Sequence, residues 1–293
     1  MHTPLFATSL REEPMSRHTT FGVGGPVAEF VVPESADELV QVLRVCREAG
    51  VEFFVLGKGS DLLVSDEGFD GVVISLDALV GVRHDGERLV CEAGASLPYV
   101  ARRALYAGLS GFEFACGIPG SIGGACFMNA GAYDGCMADV LESVEVITPS
   151  GEFVTLGHDE LDMGYRKSRV RTEGLVVLRA TLGLTPCDRA EIRAKMDDYT
   201  KRRKDKQPLE YHSAGSTFKR PEGYFAGKLI MDAGLKGYQV GGAAVSTKHA
   251  GFVVNLGDAT AADVRAVIAH VQDEVERQFG VRLEPEVRFL GWD

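Results

Sequence analysis

Two glycine-rich runs hold the first residues that could do chemistry. In "VLGKGSDLLV", Val55 to Val64, the small residues Gly57, Gly59 and Ser60 free a series of backbone N–H groups to face an anion. Concave runs of amides bind phosphate without any net positive charge on the protein. The spacing is neither that of the P-loop nor G-x-G-x-x-G. The second run, "GIPGSIGGACFMNAGAY", Gly117 to Tyr133, has no charged residue. Gly117, Gly120, Gly123 and Gly124 thin the chain so that a ligand can approach the backbone, and Ser121 and Asn129 offer hydrogen bonds to a sugar or phosphate. Two such runs, each read as following a strand, predict a long phosphate-bearing cofactor. The plainer alternative is a pair of tight turns in a packed core.

These runs need elements to hold them. "SADELVQVLRVCREAG" predicts a helix, with Ser35 and Glu38 at capping-box spacing, Leu39, Val42, Leu43 and Cys46 on one face, and Gly50 as the stop. "VEFFVLG" and "GFDGVVISL" predict strands, and "RLVCEAGASLPYVARRALYAG" reads as strand, turn and helix. "VLESVEVITPSGEFVTL" predicts two strands about a Pro149-Ser150-Gly151 turn, followed by the strand "GLVVLRATLGL". "DRAEIRAKMDDYTKRRKDKQP" predicts a helix with Ile192, Met196 and Tyr199 on one face, stopped by Pro208. Its basic end reads as a solvated helix terminus whose cations suit the dipole. "HAGFVVNLG" predicts a strand, "TAADVRAVIAHVQDEVERQFG" a helix opened by Thr260 and Asp263, and "VRLEPEVRFLG" a last strand. The glycine-rich Gly117–Tyr133 stretch is expected to resist helix formation. Strands and helices alternating in this way mark an α/β or α+β layout with a sheet covered by helices, with a change of sub-domain expected near residues 185–190.

The 293 residues suffice for a large core, and 45% hydrophobic with 25% charged residues is a globular profile. A net charge of −11 argues against nucleic acid as a partner. The start, "MHTPLFATSLREEP", lacks the pattern of a signal peptide, and no apolar run reads as a membrane span, so a cytoplasmic protein without membrane insertion is expected. None of the six cysteines forms a C-x-x-C pair. They read as reduced structural thiols, with no metal site.

Seven segments carry a resemblance: "TTFGVGGPVAEF", "LGKGSDLLVSDEGFDGVVI", "GIPGSIGGACFMNAGAYDG", "YRKSRV", "GSTFKRPEGYFAGKLI", "GYQVGGAAVSTKHAGFVVN" and "LEPEVRFLG". Together, in this order and across nearly the whole chain, they resemble the family of UDP-N-acetylenolpyruvoylglucosamine reductases (UDP-N-acetylmuramate dehydrogenases), in its short, type II form. The resemblance implies an FAD-binding region of the vanillyl-alcohol-oxidase (PCMH) type made of two sub-domains, 1–75 and 76–187. A C-terminal α+β substrate domain, 188–293, would follow, with the strand at 283–291 able to return to the first. It implies non-covalent FAD held by Gly57, Lys58, Gly59, Ser60, Asp61, Gly117, Ile118, Pro119, Ser121, Ile122, Gly123, Gly124, Asn129 and Gly131. NADPH would be the co-substrate, delivering hydride through FAD N5 to C3 of UDP-N-acetylglucosamine enolpyruvate, with a proton added at C2, in peptidoglycan precursor synthesis.

Three positions match the family's catalytic motifs. Ser216 in "GSTF" matches the proton donor, and Arg166 in "YRKSRV" the arginine that polarises the substrate carboxylate. Glu286 in "LEPEVRF" matches the family's glutamate, expected to be protonated or hydrogen-bonded to the intermediate and preferred over Glu284. Lys206, Tyr165 and Arg220 are the implied substrate contacts. Asp61 stands where the family usually has Asn, exchanging an amide for an acceptor, so the loop's role is expected more firmly than that side chain's contact. Arg220 stands where Asn is common. An FAD oxidase of the same fold would not require the "GSTF" and "LEPEVRF" pair, and a non-catalytic nucleotide-sugar sensor would not retain Ser216, Arg166 and Glu286.

Overall fold

The computed structural model describes residues 5–292. The first four residues of the N-terminal stretch and the last residue of the chain lie outside them. The chain forms two compact units. One comprises the segment up to Ser9, Phe30–Lys58 and Val72–Arg203; the other comprises Leu10–Glu29, Gly59–Gly71 and the chain from Lys204 onward.

The first unit begins its core with α1, Ala36–Ala49. Ser35 Oγ accepts from Glu38 N at 3.2 Å, Glu38 Oε2 accepts from Glu34 N at 2.8 Å, and Gly50 ends the helix in the left-handed region. Leu39, Val42, Leu43 and Cys46 are its buried face, as the 3.6-residue period predicts. The strand Phe53–Leu56 follows and runs parallel to Val72–Ser75 of the strand Phe69–Ser75. A five-stranded antiparallel sheet carries most of the unit, in the order Phe153–Gly157, Leu141–Ile147, Val176–Gly183, Arg88–Glu92, Val82–Asp85. Against it lie α2, Leu97–Ala107, and α3, Ile122–Met128, followed in the chain by the single turn α4, Arg169–Thr172. The helix α5, Arg189–Lys206, buries Ile192, Met196 and Tyr199 in the same core and stops before Pro208.

Two expectations are corrected here. The Gly117–Tyr133 stretch does form a helix, α3. Ser121 Oγ caps it, accepting from Gly124 N, and Asn129 ends it in the left-handed region. Packing explains the exception to glycine's poor propensity: a Cβ at Gly123 would lie 3.1 Å from Ala93 Cβ, so only glycine lets the helix approach that backbone. The run also follows a 3-10 turn, Glu113–Gly117, rather than leaving a strand directly.

In the second unit, a three-stranded antiparallel sheet, Gln239–Val240, Ala243–Val245 and Val253–Asn255, packs with α6, Ala226–Asp232, and α7, Ala261–Phe279. Thr260 and Asp263 form the expected capping box, with Asp263 N donating to Thr260 Oγ1 at 3.1 Å and Thr260 N to Asp263 Oδ2 at 3.0 Å. Val264, Val267, Ile268, Val271 and Val275 are the buried stripe. The last predicted strand shrinks to Arg288–Leu290, parallel to Leu62–Val64. Ahead of it, Pro285 has no N–H to extend a ladder, and the chain instead makes an isolated bridge with Phe218. Among the described residues, no helix is long and apolar enough to cross a membrane.

Candidate functional site

Ser216 and Glu286 are brought together by backbone. Glu286 N donates to Thr217 O at 2.8 Å, Lys219 N donates to Glu284 O at 2.9 Å, and Phe218 pairs antiparallel with Pro285. This two-bond ladder puts Ser216 and Glu286 at the same end. Thr217 anchors it in the core: fully buried, it donates N–H to Gly251 O at 2.9 Å, and its Oγ1 accepts from Val253 N at 3.0 Å. Ser216 itself is exposed, one residue out from that anchor. Glu284 is engaged in an ion pair with Lys219.

Arg166 lies in the first unit, on a tight turn closed by Gly164 N to Lys167 O at 3.0 Å and Lys167 N to Gly164 O at 3.2 Å. Its φ of 53° is unusual for a side-chain-bearing residue. The turn is held from α3: Asn129 Nδ2 donates to Gly164 O at 2.9 Å while Asn129 Oδ1 accepts from Ala138 N at 3.0 Å. Ser168 Oγ donates to Phe127 O at 2.8 Å, and Arg171 Nη1 to Arg166 O at 3.0 Å. Tyr165 is exposed, and the Arg166 guanidinium lies 5.1 Å from its ring centroid. Asn129, a residue expected to hold cofactor, thus uses one end of its amide to hold the arginine-bearing turn and the other to bind Ala138.

The other cofactor candidates divide between the units. Gly57 and Lys58 close the first unit's strand Phe53–Leu56, and Lys58 Nζ pairs with Asp77 at 2.6 Å. Gly117, Ile118, Pro119, Ser121, Ile122, Gly123, Gly124 and Gly131 belong to the same unit, and Gly59, Ser60 and Asp61 to the second. Lys206 and Arg220 are exposed in the second unit; the Arg220 guanidinium stands 4.0 Å over the Phe225 ring.

Each unit by itself offers a feature suited to a dinucleotide. The backbone is side-chain-poor by necessity: a Cβ at Gly57 would lie 2.4 Å from Ser121 Oγ, and one at Gly59 1.9 Å from His18 O. Beside Gly59, whose carbonyl accepts from Thr20 N at 3.0 Å, the Thr20 hydroxyl is buried without a hydrogen-bond partner. An orphaned buried hydroxyl is a group waiting for a polar ligand. Thr20 escaped the reading of single residues, although its segment was among the seven quoted. Arg203 escaped too. It follows Ile192, Met196 and Tyr199 at the next step of the α5 stripe, and its side chain is half-buried against Gly117. The helical period held that signal, but its charge placed it with the solvated helix end.

Comparison with known proteins agrees over nearly the full length. Residues 27–157 match the family model described as FAD binding domain, and 207–290 match UDP-N-acetylenolpyruvoylglucosamine reductase, C-terminal domain. The chain is similar to the UDP-N-acetylenolpyruvoylglucosamine reductase of Clostridium beijerinckii, at 53% identity over 95% of this chain and 92% of that one. With the protein of that name from Caldanaerobacter subterraneus subsp. tengcongensis it shares 50% identity over the same shares. The crystal structure of UDP-N-acetylenolpyruvylglucosamine reductase from Thermus caldophilus superposes with a TM-score of 0.82 at 38% identity, over 97% of this chain and 100% of that one. The architecture is therefore α+β with an FAD-binding region of the vanillyl-alcohol-oxidase type, and FAD is the cofactor. This chain belongs to the UDP-N-acetylenolpyruvoylglucosamine reductase family and is an FAD-containing oxidoreductase.

Proposed function

We propose that this protein reduces UDP-N-acetylglucosamine enolpyruvate to UDP-N-acetylmuramate with NADPH, in cytoplasmic peptidoglycan precursor synthesis. The observation that carries the reading is the ladder joining Thr217 to Glu286, because it places two of the three proposed catalytic residues at one end of a rigid support. Bound FAD supplies the hydride carrier between NADPH and the C3 carbon of the enolpyruvyl group. Gly57, Lys58, Gly59, Ser60 and the Gly117–Gly131 run would hold it, largely through main chain.

The residues of the chain supply the rest. Ser216 Oγ gives its proton to C2. A serine hydroxyl is a weak acid, so it serves only where a strongly basic carbon is held beside it. Arg166 holds the substrate carboxylate, into which negative charge moves as C3 is reduced; a fixed guanidinium favours that transition state over the ground state. Glu286 is protonated or hydrogen-bonded to the intermediate that carries this charge. Lys206, Tyr165 and Arg220 serve substrate binding. In this reading residues 1–75 and 76–187 serve the cofactor and 188–293 the substrate.

The test is spectroscopic. The purified protein should be yellow, NADPH should bleach it without oxygen, and the enolpyruvyl sugar nucleotide should restore the colour. Ser216→Ala should keep bleaching by NADPH and slow recolouring by at least a hundredfold. Equal slowing of both half-reactions would overturn the proton-donor role.

A further inference from the structure

Arg203 is the residue of the basic run Lys201–Lys206 whose cation is withdrawn from solvent; Lys201, Arg202, Lys204 and Lys206 are all exposed. It continues the buried stripe of α5, and its side chain lies along Gly117 so closely that a Cβ there would meet both its Cδ and Nη1 at 3.1 Å. Arg202, one residue earlier, pairs with Asp198 at 2.8 Å. Arg203 has no ion pair or hydrogen bond among the described residues. The titratable groups that face it are Tyr133, whose hydroxyl is committed to Tyr199 O at 2.7 Å, and the Cys116 thiol. Burial holds both of them above their usual ranges, so both are neutral at neutral pH, and burial lowers the pKa of Arg203 itself.

A desolvated guanidinium without a counter-ion is unfavourable in the free protein. A charge-assisted bond to an anionic ligand reverses that balance, and Arg is the side chain suited to phosphate and other planar or multidentate anions. The guanidinium packs against Gly117, where the uncharged glycine-rich run begins. We propose that Arg203 contributes a cation to the FAD site, its guanidinium donating to an anionic oxygen of the bound cofactor beside Gly117. FAD offers two such sources, its diphosphate and the pyrimidine edge of the reduced isoalloxazine. The proposal rests on FAD binding and is independent of the substrate and of the role given to Ser216.

The experiment uses the holoenzyme with Arg203→Met. Two quantities are read: the dissociation constant of oxidised FAD, from recovery of free-flavin fluorescence on dilution, and the flavin midpoint potential, from equilibrium reduction against a reference dye. A bond to the diphosphate weakens oxidised FAD about tenfold or more and leaves the potential in place. A bond to the reduced isoalloxazine leaves that constant in place and lowers the potential by about 30 mV, the two-electron equivalent of tenfold. Gly117→Ala, which displaces the guanidinium without removing its charge, should shift the same quantity in the same direction and stands in if the first variant fails to fold. Unchanged affinity and unchanged potential in a folded Arg203→Met protein, or in Gly117→Ala where that stand-in is needed, would overturn the proposal.

Discussion

Asn129 shows how one side chain links the glycine-rich run to the turn that carries Arg166. Its amide bonds Gly164 O and Ala138 N, and its own backbone, at φ 44°, ends α3. Asn129→Ala removes both bonds and puts a residue with a Cβ and no compensating polar group in the left-handed region. We expect a loss of about 2 kcal/mol in chemical denaturation. Recolouring by substrate should slow more than bleaching by NADPH, since Arg166 rides on the turn that Asn129 holds. Equal slowing would separate Asn129 from Arg166. At this scale the proposed roles of Ser216, Arg166 and Glu286 rest on segments whose order along the chain carries the family resemblance. Nothing in the sequence hinted that Asn129 would bond Gly164, 35 positions away, because that contact exists only after α3 and the turn meet.

Among the elements, the 3-10 turn Glu113–Gly117 carries a buried carboxylate. Burial alone would raise the pKa of Glu113. The hydrogen bonds from Ser110 Oγ at 2.6 Å and Gly111 N at 2.9 Å, with Lys195 at 3.7 Å, outweigh it and hold the carboxyl below its usual range. A depressed folded value means that the unfolded chain binds the proton more tightly. The stabilisation is therefore complete above the ordinary glutamate range and is lost as pH falls through the folded value. Glu113→Gln should remove this acid-side slope and lower stability at pH 7 by about 1–2 kcal/mol, read from denaturation at a series of pH values. An unchanged slope would assign acid sensitivity elsewhere. Helices α1, α5 and α7 were legible because their apolar stripes and caps are local properties. Helix α3 was not: its glycines lower helix propensity, and the compensation, close approach of Gly123 to Ala93, is non-local.

At the scale of the molecule, cysteine chemistry follows burial. All six thiols are free. Cys91 and Cys126 are buried in the core of the first unit, and desolvation pushes both up to about 12. Only the thiolate reacts. Iodoacetamide at pH 8 should leave these two unmodified in the native protein and label them after denaturation, while the half-buried Cys187 reacts natively; peptide mass spectrometry reads the difference. Native labelling of Cys126 would contradict the packing around α3. The sequence supported reduced thiols by the lack of any close pair, but it could not rank their reactivity, which depends on what covers each one.

The sequence by itself determined the mixed architecture, the periods and caps of the long helices and the flavin cofactor. These are set by residue type over a few neighbouring positions, or by motif order along the chain. Tertiary structure decided what depends on surfaces meeting: the helix within the glycine-rich run, the ladder that carries Ser216 and Glu286 to one end, the orphaned hydroxyl of Thr20 and the withdrawal of Arg203 from water. Burial and satisfaction of a polar group are properties of the surroundings that folding creates, so no spacing along the chain encodes them alone.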